Sequence, residues 1–185
     1  MPGICLIFDN QTKQTINGIY DNINQKLGLE VLKIDKNLEP HFTLLYHSNS
    51  VDIGNKMKLY ENIDILANQV SKRNINIEGY GIFQRGENCI LYLSTSYDTE
   101  FQKVHKKAWE IFNGYQFNKE LYHYSSYVPH LTIPLTNTDI DTAMKVLKEL
   151  IKTDLSNIIL NNIKIGYLTA NLKNPELFYS QELLK

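Results

Sequence analysis

Short apolar runs and amphipathic periods alternate along this chain, and they do so in the same order twice. "GICLIFD" (3–9) reads as a strand. Ile16, Ile19, Tyr20, Ile23 and Leu27 then recur at helical spacing, with Thr12 or Thr15 suited to cap the helix and Gly28 to stop it. "PHFTLLYH" (40–47) returns to strand. Met57, Tyr60, Ile63, Ala67 and Val70 mark a second helix, and "INIEGYGIF" (75–83) another strand. From residue 89 the order repeats. "CILYLSTS" (89–96) is a strand, and Asp98 is placed to cap a helix carrying Phe101, Val104, Ala108, Ile111 and Phe112. A strand at "PHLTI" follows, then a helix with Ile140, Ala143, Met144, Leu147, Leu150 and Ile151, and strands at 158–169 and 176–184. Each half is strand, helix, strand, helix, strand, with one strand left over. This predicts an internal duplication with pseudo-repeats at about 1–86 and 87–185, related by an approximate two-fold axis. No Pro/Gly/Ser-rich linker separates them, so 185 residues are expected to form one domain with a shared core.

The third element of each half carries the same pattern, Pro-His-apolar-Thr-apolar: "PHFTL" at 40–44 and "PHLTI" at 129–133. On a strand, residues two apart share a face at roughly 6.5–7 Å. His41 and Thr43 therefore point one way and Phe42 and Leu44 the other; His130 and Thr132 stand likewise against Leu131 and Ile133. Pro40 and Pro129 lack an N–H and suit the first position of a strand. A pseudo-two-fold axis would set the two polar pairs, 89 positions apart, on opposite walls of one cleft. Two imidazoles so placed can act as base and acid near neutral pH, and two hydroxyls can bond the nonbridging oxygens of a phosphoryl group. The chemistry this suits is phosphodiester cleavage or transesterification, in which one His activates water or a ribose hydroxyl and the other protonates the leaving oxygen.

These motifs, "HFTL" and "HLTI", resemble the paired His-x-Thr/Ser strands of the two-histidine (2H) phosphoesterase superfamily, which includes the 2′-5′ RNA ligase and cyclic phosphodiesterase-like proteins. The resemblance extends over nearly the whole order of elements. It implies an α+β fold: a bilobal, pseudo-two-fold arrangement of two antiparallel sheets with helices packed on the outside. It also implies that His41 and His130 form the acid/base pair and that Thr43 and Thr132 hold phosphate. The implied substrates are 2′-phosphodiesters or 2′,3′-cyclic phosphates in small RNA ends or oligonucleotides. Cyclic oligonucleotide second messengers are an alternative class, and a non-catalytic nucleotide sensor is another.

Around the motifs, Tyr46, Tyr124 and Tyr127, together with Tyr122, are candidates to stack on a base or bond a phosphate, and Arg85 in "QRGEN" is a candidate phosphate ligand. His47 would share the face of His41 if its strand continues. His123 falls in the tyrosine-rich approach to the second motif, and His105 on the third helix is expected to be half-buried and structural. No His/carboxylate spacing of a zinc site appears, nor a phosphate-cradling glycine loop or a serine elbow, so neither metal nor cofactor is expected.

A formal charge of −1 leaves no general electrostatic affinity for long duplex nucleic acid. The expected partner is a small nucleotide or oligonucleotide. "GICLIF" is too short to span a bilayer or to serve as a signal peptide's apolar region, so no membrane association is expected. Cys5 and Cys89 make no disulfide framework, which points to a reducing compartment, the cytoplasm.

Overall fold

The computed structural model describes residues 3–28, 32, 39–46, 56–85, 88–115, 127–133, 139–169 and 177–184. Among them run β1 (Gly3–Phe8), α1 (Asn10–Leu27), β2 (His41–Tyr46), α2 (Lys56–Ala67), β3 (Arg73–Asn76) and β4 (Gly79–Arg85). They are followed by β5 (Asn88–Ser94), α3 (Thr99–Ile111), β6 (His130–Thr132), α4 (Ile140–Ile151), β7 (Ile159–Leu168) and β8 (Leu177–Glu182). The fold is α+β with two antiparallel sheets, as the sequence implies. One sheet runs β2-β1-β7, and the far edge of the long β7 takes β3 against its first half and β8 against its second. The other runs β4-β5-β6.

The two sheets do not follow the two halves of the sequence. The last strand of the first half, β4, pairs with β5 of the second half, and the strand after α4, β7, pairs with β1 of the first. Each half thus contributes its closing strand to the other half's sheet. The single strand expected at 75–83 is for the same reason two: the Ile77 N–H bonds Ile158 O, beside β7, and the next N–H, of Glu78, bonds Ser94 O on β5. This exchange explains why no linker is needed.

Helix ends follow from side-chain chemistry. Asp9, not Thr12 or Thr15, caps α1, its carboxylate accepting the Thr12 N–H at 2.7 Å. Thr12 is instead buried, its hydroxyl accepting the Asn161 N–H and tying α1 to β7. Gly28 ends α1 at φ 63°, the left-handed conformation that glycine adopts without a Cβ penalty. Asp98 caps α3 as expected, bonding the Phe101 N–H while pairing with Arg73 at 3.0 Å. One apolar cluster joins both sheets and the four described helices, with Phe8, Phe42, Phe101 and Phe112 among its largest members. Phe42 is fully buried and meets Phe8 edge-on at 4.9 Å. It is what anchors the first Pro-His strand; truncating such a residue to Ala costs about 3–5 kcal/mol.

Candidate active site

The two motif strands are the edges of their respective sheets, and they lie against each other. Side chains alternate as the sequence requires. Phe42, Leu44, Leu131 and Ile133 are buried in the core, His41, Thr43 and His130 are half-buried, and Thr132 is exposed.

Each motif is held by the same two hydrogen bonds, one to the proline carbonyl and one from the histidine ring. The Phe8 N–H takes Pro40 O at 3.2 Å, and the Thr95 N–H takes Pro129 O at 3.4 Å. Nδ1 of His41 lies 2.8 Å from Glu39 O, and Nδ1 of His130 lies 2.7 Å from Val128 O. A carbonyl only accepts, so in both rings Nδ1 carries the hydrogen and donates it. Orientation and tautomer are thereby set from the residue before each proline, and Nε2 is the position left to exchange a proton. Burial holds His41 below the ordinary imidazole pKa against the raising effect of the Glu39 carbonyl. The positive charges of the chain's amino terminus and of His130 push it the same way.

Beneath Thr43 sits its register partner Cys5, buried, with Sγ 3.8 Å from Thr43 Oγ1. Burial pushes this thiol up to about 12, so it is protonated at neutral pH and is no nucleophile. Ile7, the register partner of His41, opens onto a pocket of about 420 Å³ lined also by Asp9, Asn10, Gln11, Glu39, Lys164 and Leu177. Its size falls in the range of small-molecule sites. Lys164, two strands from His41 and paired with Glu182 at 3.5 Å, brings a cation to this side of the cleft, a residue that sequence reasoning passes over.

The outlying candidates separate. Tyr127 is buried rather than open to a base, and its hydroxyl donates to Thr43 O at 2.8 Å. It links the approach to the second motif directly to the first. Tyr46 is also a core residue, buried past the point where β2 bulges: Ile4 pairs with Leu45 but Cys5 with Thr43. Both depart from the expected substrate-stacking role because their rings are spent on packing. The backbone of Arg85 ends β4 opposite Asn88. Its side chain lies outside what the structure describes, as do Tyr122, Tyr124, His47 and His123 altogether. His105 is more deeply buried than expected. It accepts the Trp109 indole N–H at Nε2 (3.2 Å), so its Nδ1–H faces Tyr97 Oη (2.8 Å), and the Tyr127 ring lies 4.0 Å away. Phe83 and Tyr92, unnoticed in the sequence, flank His130 with ring centroids at 5.0 and 5.5 Å. Pairing of β5 with β6 would have found Tyr92, since it stands opposite Thr132.

Among the described residues no group of three or more His, Cys, Asp or Glu gathers as a metal site, and no helix is long and apolar enough to cross a membrane.

Comparison with known proteins agrees with this fold. The family model for the 2′-5′ RNA ligase superfamily matches residues 31–160. No curated protein matches. The solved structure of TT0787 of Thermus thermophilus is similar at TM-score 0.63 and 11% identity, over 98% of this chain and 97% of that one. E. coli LigT complexed with 3′-AMP is similar at TM-score 0.60 and 9% identity, over 100% and 97%. Kluyveromyces marxianus Usb1 with uridine monophosphate gives 0.50 and 10%, over 99% and 98%. At these identities the likeness is one of fold.

Proposed function

The chain belongs to the 2′-5′ RNA ligase superfamily, among the two-histidine phosphoesterases, and from that premise we propose a metal-independent phosphodiesterase. Its substrates would be 2′-phosphodiester or 2′,3′-cyclic phosphate bonds in small RNA ends or oligonucleotides. The observation that carries this reading is the matched pair of imidazoles, each locked by an Nδ1–H bond to the carbonyl two residues upstream.

The roles divide by environment. His41, disfavoured as a cation, is neutral near pH 7, and its Nε2 lone pair takes the proton of water or a ribose hydroxyl as the new P–O bond forms. His130, on the more open strand, is the acid of the pair and gives an Nε2 proton to the departing oxygen as the old P–O bond breaks. One proton arrives at His41 and one leaves His130, so a proton exchange with solvent resets the pair. Thr43 and Thr132 donate to the nonbridging oxygens, whose charge grows in the transition state. That 3′-AMP and uridine monophosphate occupy proteins of this fold supports a nucleotide-sized substrate.

The test is product identification on 2′,3′-cyclic nucleotides, linear 2′-5′ and 3′-5′ oligonucleotides and cyclic oligonucleotides, with and without chelator, for the wild type and for His41→Ala and His130→Ala. Turnover lost in both variants and indifferent to chelator is expected. Full activity in either variant would overturn the mechanism, and tight binding without turnover in the wild type would leave a nucleotide sensor.

A further inference from the structure

The wall that carries His130 holds an aromatic pair for which the acid/base chemistry has no use. Phe83 on β4 and Tyr92 on β5 stack with centroids 4.2 Å apart and planes 22° from parallel, and each meets the His130 ring in a T-shaped contact. Both are half-buried. The opposite face of these strands supplies Cys89, Leu91 and Leu93 to the core, whereas Phe83 and Tyr92 belong to neither apolar cluster of the described residues. Two aromatic rings are thus held on the same face of the sheet as His130 and Thr132.

Their setting is flat and adjacent to the phosphate ligands. Tyr92 is the register partner of Thr132 on one side and of Gly81 on the other. A Cβ at Gly81 would collide with Cζ and Oη of Tyr92, so the missing side chain is what lets the ring lie down over β4. Among the described residues the other motif strand differs: where Tyr92 stands beside Thr132, the small Cys5 stands beside Thr43. The His130 side of the site is therefore aromatic, whereas the His41 side neighbours a pocket lined by Ile7, Glu39 and Lys164.

We propose that Phe83 and Tyr92 form the nucleobase platform of the site: the base of the nucleotide whose phosphate lies at His130 and Thr132 stacks on this pair. The inference rests on the nucleotide phosphodiester reading above. A stacking surface without an edge-reading pocket tolerates any base but favours the larger purine face.

The experiment compares kcat/KM for adenosine 2′,3′-cyclic phosphate, uridine 2′,3′-cyclic phosphate and the base-free 1-O-methylribose 2,3-cyclic phosphate. It is run in the wild type, Phe83→Leu, Tyr92→Leu and Tyr92→Phe, together with inhibition by adenosine. The wild type should prefer adenosine over the base-free substrate by roughly 5- to 150-fold, the range that one stacked base contributes, with uridine between them. Tyr92→Leu and Phe83→Leu should each shrink that ratio at least several-fold, and Tyr92→Phe should keep it. Should Tyr92→Leu fail to fold, Gly81→Ala displaces the same ring and should shrink the ratio likewise. If the leucine variants lose activity equally on base-bearing and base-free substrates, the rings only orient His130 and the proposal is wrong. Turnover with no base preference sinks the platform alone. Adenosine binding that depends on Tyr92, without turnover of any substrate, keeps the platform and sinks the phosphodiesterase.

Discussion

Tyr127→Phe removes one oxygen and little else. The ring would keep its contacts with Tyr97, Phe101 and His105, at centroid distances of 5.5, 5.9 and 4.0 Å. What goes is the 2.8 Å bond from the phenol to Thr43 O, between residues 84 apart in sequence. Leaving a buried acceptor without its partner costs about 1–3 kcal/mol. Thr43 is only half-buried, so water can partly repair the loss and about 1–2 kcal/mol is expected. In a domain of this length that is roughly 2–8 °C in Tm, or a lower urea midpoint at unchanged slope. The larger effect should be on turnover. This bond fixes the strand bearing His41 and Thr43 against the approach to His130, and a displacement of about 1 Å between reacting groups can cost on the order of 100-fold. A fall in kcat of at least about tenfold is expected, with KM little changed and the shape of the pH profile retained. Urea titration and steady-state kinetics on the best substrate check it. A variant with wild-type kcat and a stability loss under about 0.3 kcal/mol would show that Tyr127 does not hold the two motifs in place.

Other predictions concern the reacting groups. Activity should rise with pH along a limb lying below about 6.5, because burial lowers the pKa of His41 and the base works once deprotonated. The same shift makes the folded state bind fewer protons than the unfolded one, so His41 stabilises the fold above about pH 6.5 and that contribution is lost as pH falls through its folded value. In His41→Ala the acid-side dependence of stability should weaken, which urea midpoints between about pH 5 and 7 would reveal. Thr43→Val and Thr132→Val should each lower kcat by roughly 10²–10³ if their hydroxyls bond the transition-state oxygens, and the Thr132 variant, exposed in the free protein, should leave stability within about 0.5 kcal/mol.

Periodicity reads the local structure well and the long-range pairing poorly. Alternation in "HFTL" and "HLTI" places two histidines and two threonines on the open faces of their strands, because facing is decided within three residues of chain. That β4 and β7 change sheets depends on which strand each one meets, and nothing in "GYGIFQR" or "ILNNIKIGYL" encodes its partner locally. Tyr127 and Tyr46 pass for ligand contacts in the sequence for a related reason. Tyrosine suits a base-stacking surface and a buried strut equally, and only the Thr43 carbonyl and the bulge in β2 distinguish them. Phe83 and Tyr92 escape notice because an aromatic on a predicted strand is ordinarily core. Their cleft-side position follows from the register of Tyr92 with Thr132, which no single strand reveals.

The division of labour between the two imidazoles is tested most directly by changing the leaving group. On a nucleotide ester with an alkoxide leaving group, His41→Ala and His130→Ala should each lose roughly 10²–10⁴ in kcat. On the corresponding p-nitrophenyl ester, whose leaving oxygen needs no proton, His130→Ala should recover most of that loss and His41→Ala should not. Equal losses of both variants on both esters, or recovery by His41→Ala instead, would contradict the assignment of His41 as base and His130 as acid.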